Sequence, residues 1–195
     1  MSAIRPCIAS ILVRLKMMKL RYAVSMNTHA GFGPASPSST STPPLLEIVI
    51  EVPRGSFLKR GSSGHIDFIS PLPCPFNYGS VPDMIGLEGD LLDALVLGPR
   101  LPYEARVTLP VWGAVTLMDR GMIDDKLICC AHEPSAADIE TVLRFFSFYA
   151  RCKWWLNLVR GRSGRNACEG WISATEAIAR ARPRTEAWAG PDVTY

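Results

Sequence analysis

Val115-Thr-Leu-Met-Asp-Arg-Gly-Met-Ile-Asp-Asp-Lys-Leu-Ile128 reads as two strands joined by a short turn at Arg120-Gly121. Runs of apolar and β-branched residues flank a glycine-containing break, which is the pattern of a hairpin. The hairpin brings Asp119 and Asp124 close together across its turn. Side chains alternate along a strand, so Asp124 and Lys126, two residues apart, point to the same face. This stretch therefore predicts both a β architecture and a concentration of charge at the end of two strands.

Working outward, the same text continues on the N-terminal side. Leu46-Glu-Ile-Val-Ile-Glu-Val52, Ile66-Asp-Phe-Ile69, Ala94-Leu-Val-Leu97, Ala105 to Leu109, Val111 to Met118 and Lys126 to Ala131 are strand candidates. Gly98-Pro99, Pro102 and Pro110 separate them at short intervals, as in a small barrel or sandwich. After the hairpin the period changes to three and four. Ile139, Val142, Leu143, Phe146 and Tyr149 mark an amphipathic helix over residues 135–156, with Ser135 and Asp138 arranged as a cap. Ser173-Ala-Thr-Glu176 fits a capping box and leads into a second, shorter helix through Ala177-Ile-Ala-Arg-Ala181. No internal repeat is present.

Length and composition bound the rest. A chain of 195 residues builds one ordinary domain with a real core. It is 48% hydrophobic and 20% charged, and no apolar run approaches the roughly 18 residues of a membrane-spanning helix. The expectation is a soluble, cytoplasmic protein with no membrane partner. The net charge of +3 is uneven: residues 1–46 carry Arg5, Arg14, Lys16, Lys19 and Arg21 and no acid, leaving 16 basic and 18 acidic residues beyond. A slightly acidic body gives no nucleic-acid footprint. The six cysteines show no metal-type spacing and read as reduced thiols.

The Pro/Ser/Thr/Gly tract from Gly31 to Pro44 cannot build a core and marks a linker. Residues 1–45 are therefore expected to be a disordered or targeting-like extension, or to include a start assigned too early, with Met17, Met18 or Met26 the true start. Residues 46–185 form the domain, and 186–195 a tail.

A second acidic cluster, Gly86-Leu-Glu-Gly-Asp-Leu-Leu-Asp-Ala-Leu-Val-Leu97, sets Glu88, Asp90 and Asp93 at the start of an apolar run. Crowded carboxylates raise one another's pKa and are costly without cations. Together with Asp119 and Asp124 they form an oxygen-rich mouth suited to hard divalent ions such as Mg²⁺. Several such ions beside a lysine suit a phosphate compound, with water as the acceptor. No phosphate-binding Gly-x-x-x-x-Gly-Lys loop or dinucleotide fingerprint is present. His65 and His132 lie in no triad context and read as surface or packing residues.

Glu51-Val-Pro, Pro75-Phe-Asn-Tyr-Gly79, Glu88-Gly-Asp-Leu-Leu-Asp93, Asp119 to Lys126, Phe145-Phe-Ser-Phe-Tyr149 and Glu169-Gly-Trp171 occur in one order over residues 46–182. In that order and approximate spacing they resemble the soluble family I inorganic pyrophosphatases. The resemblance implies an α+β fold, mainly β, with an OB-like five-stranded barrel and flanking helices. It further implies Mg²⁺-dependent hydrolysis of pyrophosphate and a homo-oligomer. It assigns Glu88, Asp93 and Asp124 to a tight metal site, Asp93 being shared with a second metal. Asp119 with Asp124 would hold metals that arrive with substrate. Asp90 would be the general base and Glu51 an outer acid of the mouth, while Lys59, Tyr78, Lys126 and Tyr149 would hold phosphate oxygens.

Departures from the family pattern cluster on the substrate side. Glu88 stands for an aspartate and Leu91 for a proline. Gly61, the region of Ile66, Cys74 and Ala150 stand where a glutamate, an arginine, a tyrosine and a lysine are expected. Arg151 and Lys153 are candidates to replace the lysine missing at Ala150. Arg60, Arg160, Arg162 and Arg165 are candidates for the missing arginine. Two other functions stay open at this stage. One is a hydrolase of another phosphoanhydride, or a weakly active paralogue. The other is a non-enzymatic OB-type binding module, for which Trp154 and Trp155 among Arg151, Lys153 and Arg160 would supply a stacking surface.

Overall fold

Leu45–Val52 forms β1, and its alternation places Ile48, Ile50 and Val52 in the core while Glu47 and Glu51 face the other way. The computed structural model describes residues 42–60, 66–69, 73–159, 161, 164–188 and 190, with backbone alone at 58–60, 66–69, 156 and 159. Residues 1–41, Gly61, His65, Arg160, Arg162, the tail from 191 and the Lys59, Arg60 and Ile66 side chains lie outside that description.

Among the described residues the order continues with β2 (Leu58–Arg60), β3 (Ile66–Ile69), β4 (Asn77–Ile85), β5 (Leu91–Val96), β6 (Arg106–Asp119) and β7 (Met122–Cys129). It ends with α1 (Ala136–Val159), β8 (Ala167–Ile172), α2 (Ala174–Arg180) and β9 (Arg182–Pro183). The path β1-β4-β5-β7-β6 closes on itself through a β1–β6 pairing, giving a ring of five strands. This is the expected barrel, with β8 added beside β6, β9 beside β4, and β2–β3 forming a separate ribbon. Within the ring β5 and β7 are parallel and the other pairs antiparallel.

Three sequence expectations change. Ala105–Leu109 and Val111–Met118 are one strand, β6, running through Pro110. The proline is tolerated because β6 changes partners there: β1 pairs with 106–110, β8 with 114–118, and a register shift falls between Val111 and Gly113. Strand β4 was not among the strand candidates, and it carries Pro82. Pro82 sits inside the register shift between Val81 and Ile85, where no ladder hydrogen bond is required of it. Strand β8 was missed because Ala167-Cys-Glu-Gly-Trp lacks a β-branched run. Its Trp171 lies over Gly113, where a Cβ would stand 2.1 Å from the indole Cζ2.

Strands β5, β6 and β7 serve two cores. Ile48, Ile50, Val81, Leu92, Ala94, Val96, Val111, Ala114, Leu127 and Cys129 fill one face, with Ala174 and Ala177 of α2 packed among them. Leu95, Val115, Leu117 and Ile128 point the opposite way and meet Val142 and Phe146 of α1. Helix α1 starts where expected, as Ser135 N–H donates to Asp138 Oδ2 at 3.0 Å and Asp138 N–H to Ser135 Oγ at 3.2 Å. Ser173 Oγ likewise accepts from Glu176 N–H at 3.2 Å to open α2. Among the described residues no helix is long and apolar enough to cross a membrane.

Candidate metal centre

The turn from β4 into β5 is built by glycine. Gly89 takes φ 87°, in the region that disfavours a side chain. Gly86 N–H donates to Asp90 O at 2.8 Å and Gly89 N–H to Gly86 O at 3.1 Å. A Cβ at Gly86 would lie 2.9 Å from Glu88 Oε2, so the missing side chain leaves the space that the Glu88 carboxylate occupies. Glutamate reaches one methylene further than aspartate, and this turn accommodates that reach.

On the α1-facing side, equivalent positions of neighbouring strands line up. Asp93 of β5 is in register with Ser80 of β4 and with Lys126 of β7, and Ser80 Oγ donates to Glu51 Oε1 of β1 at 2.6 Å. Lys126 Nζ donates to Asp93 and, at 2.5 Å, to Asp124 Oδ1. Tyr78 donates its hydroxyl to Asp93. Glu88, Asp93 and Asp124 then bring ligand oxygens within 4.8 Å of one another.

The electrostatics of that trio are unbalanced. With all three carboxylates ionised, the Lys126 ammonium would leave two negative charges. Burial, and then the Asp124 charge, push the Glu88 carboxyl up to about 8, with Lys126 opposing. Burial also raises Asp124, against the pull of Lys126. Burial alone would lower Lys126, but Asp124 and Asp93 outweigh it and raise the ammonium well above an ordinary lysine. Burial and Asp93 raise the Tyr78 phenol strongly. Glu88 Oε2 is buried with no hydrogen-bond partner. An anionic, oxygen-only donor set with an orphaned oxygen fits a hard divalent cation.

The remaining expected residues surround the trio at different distances from its chemistry. Asp119 closes β6 before the Arg120–Gly121 turn, whose φ values of 51° and 90° suit a tight hairpin. Its Oδ2 accepts from Lys153 Nζ at 2.7 Å. A hollow of about 10 Å³ lies between Asp119, Asp124, Tyr149 and Lys153. Asp90 Oδ1 accepts from Leu91 N–H at 2.7 Å. Tyr149 is 39% exposed and stacks with Phe145 at 6.4 Å.

Of the stand-ins proposed for the lysine expected at 150, Arg151 is exposed whereas Lys153 turns into the mouth; Ala150 itself is buried. Arg165 pairs with Glu169 at 2.8 Å. Trp154 and Trp155 meet edge to face at 5.0 Å, and Lys153, directed to Asp119, does not extend them into a basic groove. Sequence reading missed Ser80, whose hydroxyl holds Glu51. It also missed the network on the opposite face of β7, where Thr116 Oγ1 donates to Asp125 Oδ1 at 2.6 Å and Arg180 Nη1 reaches Asp125 Oδ2 at 3.3 Å. The alternation of Asp124 and Asp125 was the available signal for that second face.

Comparison with known proteins places this geometry. The sequence model of the inorganic pyrophosphatase family matches residues 48–189. The inorganic pyrophosphatase of Aquifex pyrophilus is 32% identical over 118 residues, covering 54% of this chain and 66% of that protein. That of Haemophilus influenzae is 32% identical over 94 residues, and the chain spans only 53% of its length. The Saccharolobus solfataricus protein is 28% identical over 172 residues, covering 74% of this chain and 92% of its own. The crystal structure of the Thermus thermophilus inorganic pyrophosphatase superposes with a TM-score of 0.58 at 24% identity, over 77% of this chain and 91% of that one. The fold, the order of its motifs and the family match over most of the barrel agree, and the chain belongs to the inorganic pyrophosphatase family as a distant member.

Proposed function

We propose that this chain hydrolyses pyrophosphate to two phosphates, using Mg²⁺ held by Glu88, Asp93 and Asp124, with Asp119 and Glu51 completing the acidic mouth. The observation that carries this reading is the convergence of the first three carboxylates within 4.8 Å in a chain of the pyrophosphatase family. Divalent cations bound there would lower the pKa of a water and offset the charge that develops on phosphoryl oxygens.

The residues of the chain do the rest. Asp90 lies on the same turn as Glu88, and the Leu91 amide orients its carboxylate to accept a proton from the attacking water. Lys126, the Tyr78 hydroxyl, Tyr149 and Lys59 bind phosphate oxygens. Gly61, Ile66 and Ala150 lack the polar groups that the family pattern supplies. A charge-assisted hydrogen bond to phosphate is worth about 1.5–3 kcal/mol of binding, so the two cationic gaps, at Ile66 and Ala150, each weaken substrate affinity more than the chemistry. A homo-oligomer belongs to the same proposal, and sedimentation equilibrium reads it directly.

The test is phosphate release from Mg²⁺-pyrophosphate by the wild-type chain and by Asp90→Asn, beside a nucleoside triphosphate. A fall of about 10²–10⁴-fold in the variant supports the assignment. Robust release indifferent to Asp90→Asn sinks it. Equal turnover of the triphosphate points to a broader phosphoanhydride hydrolase, metal binding without turnover to an inactive paralogue, and salt-sensitive oligonucleotide binding to a binding module.

A further inference from the structure

Lys153 follows Ala150 by three residues and Tyr149 by four on α1, so the three share one face of the helix. Its ammonium bonds Asp119 Oδ2 at 2.7 Å and lies 5.8 Å from the centre of the Tyr149 ring. Its charge also reaches Asp124, where it offsets part of the rise that burial causes. The Lys153 side chain is 26% exposed, so it stands between solvent and the mouth.

Asp119 is 8% exposed, and its other oxygen, Oδ1, is buried without a hydrogen-bond partner; the Arg120 Nε is 3.9 Å away. A carboxylate with one oxygen on a lysine and the other held only by a long ion pair to Arg120 is an incomplete cation ligand. The hollow beside it has room for about one water-sized particle. Lysine suits a movable role because its ammonium is a compact charge on a flexible stem with three rotatable donors.

We infer that Lys153 is an exchangeable counter-ion: it occupies Asp119 while the mouth lacks cations, and moves to a phosphate oxygen when a divalent cation takes Asp119. The inference rests on the pyrophosphatase reading of the site. No covalent bond forms or breaks; one cation replaces another, and the displaced ammonium finds a new anion. The arrangement couples the two ligands with opposite signs. Lys153 opposes Mg²⁺ at Asp119 and favours phosphate once Mg²⁺ is present. A lysine that merely ties α1 to the β6–β7 hairpin would oppose Mg²⁺ but would not favour phosphate.

Calorimetric titration of the full chain with Mg²⁺ alone, then with inorganic phosphate at saturating Mg²⁺, tests this in wild type, Lys153→Met and Lys153→Arg. Lys153→Met is expected to bind Mg²⁺ up to about fivefold more tightly. It should also bind phosphate about tenfold or more weakly, while Lys153→Arg stays near wild type on both. Mg²⁺ and phosphate affinities that fall together, or a Lys153→Met variant unchanged in both, overturn the exchange while leaving the metal site intact. A wild-type chain that binds no Mg²⁺ overturns the exchange and the pyrophosphatase reading together.

Discussion

Asp124 and Asp125 are consecutive residues of β7, both buried, and they are treated in opposite ways. Asp125 points to the α2 side and is satisfied by the Thr116 hydroxyl and the Arg180 guanidinium. Asp124 points to the α1 side, shares a single ammonium with Asp93 and faces Glu88. Pleating alone separates them. A buried acid with its own partners holds a fold together, whereas one kept short of positive charge is prepared for a ligand.

Breaking each side of the pair should give opposite phenotypes. Asp124→Asn is expected to reduce Mg²⁺ affinity and phosphate release by at least about a hundredfold, since even outer-shell changes at metal sites cost 10–100-fold. Its melting temperature without metal should not fall, because it relieves repulsion. Asp125→Ala should cost about 1–3 kcal/mol in chemical denaturation by leaving Thr116 and Arg180 without their partner. Its Mg²⁺ affinity, read by calorimetry, should stay near wild type. A metal defect in Asp125→Ala without a stability loss would dissolve the contrast.

The pH dependence of the metal-free chain sharpens the same point. Glu88 carries a folded pKa raised to about 8 from an ordinary 4.5, so the folded state holds its proton more tightly than the unfolded chain. Its contribution is therefore fully present below about 4.5 and is lost as pH rises towards 8. Asp124, also raised, acts in the same direction. Denaturation midpoints in the presence of a chelator should drop between pH 5 and 8, and Glu88→Gln should flatten that slope. The smallest effect is expected at Gly86→Ala, whose new methyl would press on the flexible end of Glu88. Mg²⁺ affinity should fall by less than about tenfold, that is under ~1.4 kcal/mol, with the fold retained.

Much of this was legible in the chain because it is local. The Asp119–Asp124 hairpin follows from Arg120-Gly121, the shared face of Asp124 and Lys126 from pleating, and the starts of α1 and α2 from Ser135 and Ser173. The strands that went unread, β4 and β8, depend on distant partners. Pro82 is acceptable only where β4 slips register against β5, and Gly113 only because Trp171 arrives over it.

Sequence by itself determined the family, the strand-rich domain, the cap positions and the roster of acids, since each rests on residue type and short spacing. Tertiary structure decided which charges meet. Asp93 faces Lys126 through the parallel β5–β7 pairing, and Glu51 joins the row through the Ser80 hydroxyl. Lys153 reaches Asp119 only because α1 packs on the outer face of β5, β6 and β7. Alternating strands can pair in many registers with similar local energies, and only the closed barrel with its two packed cores selects the one that gathers these carboxylates.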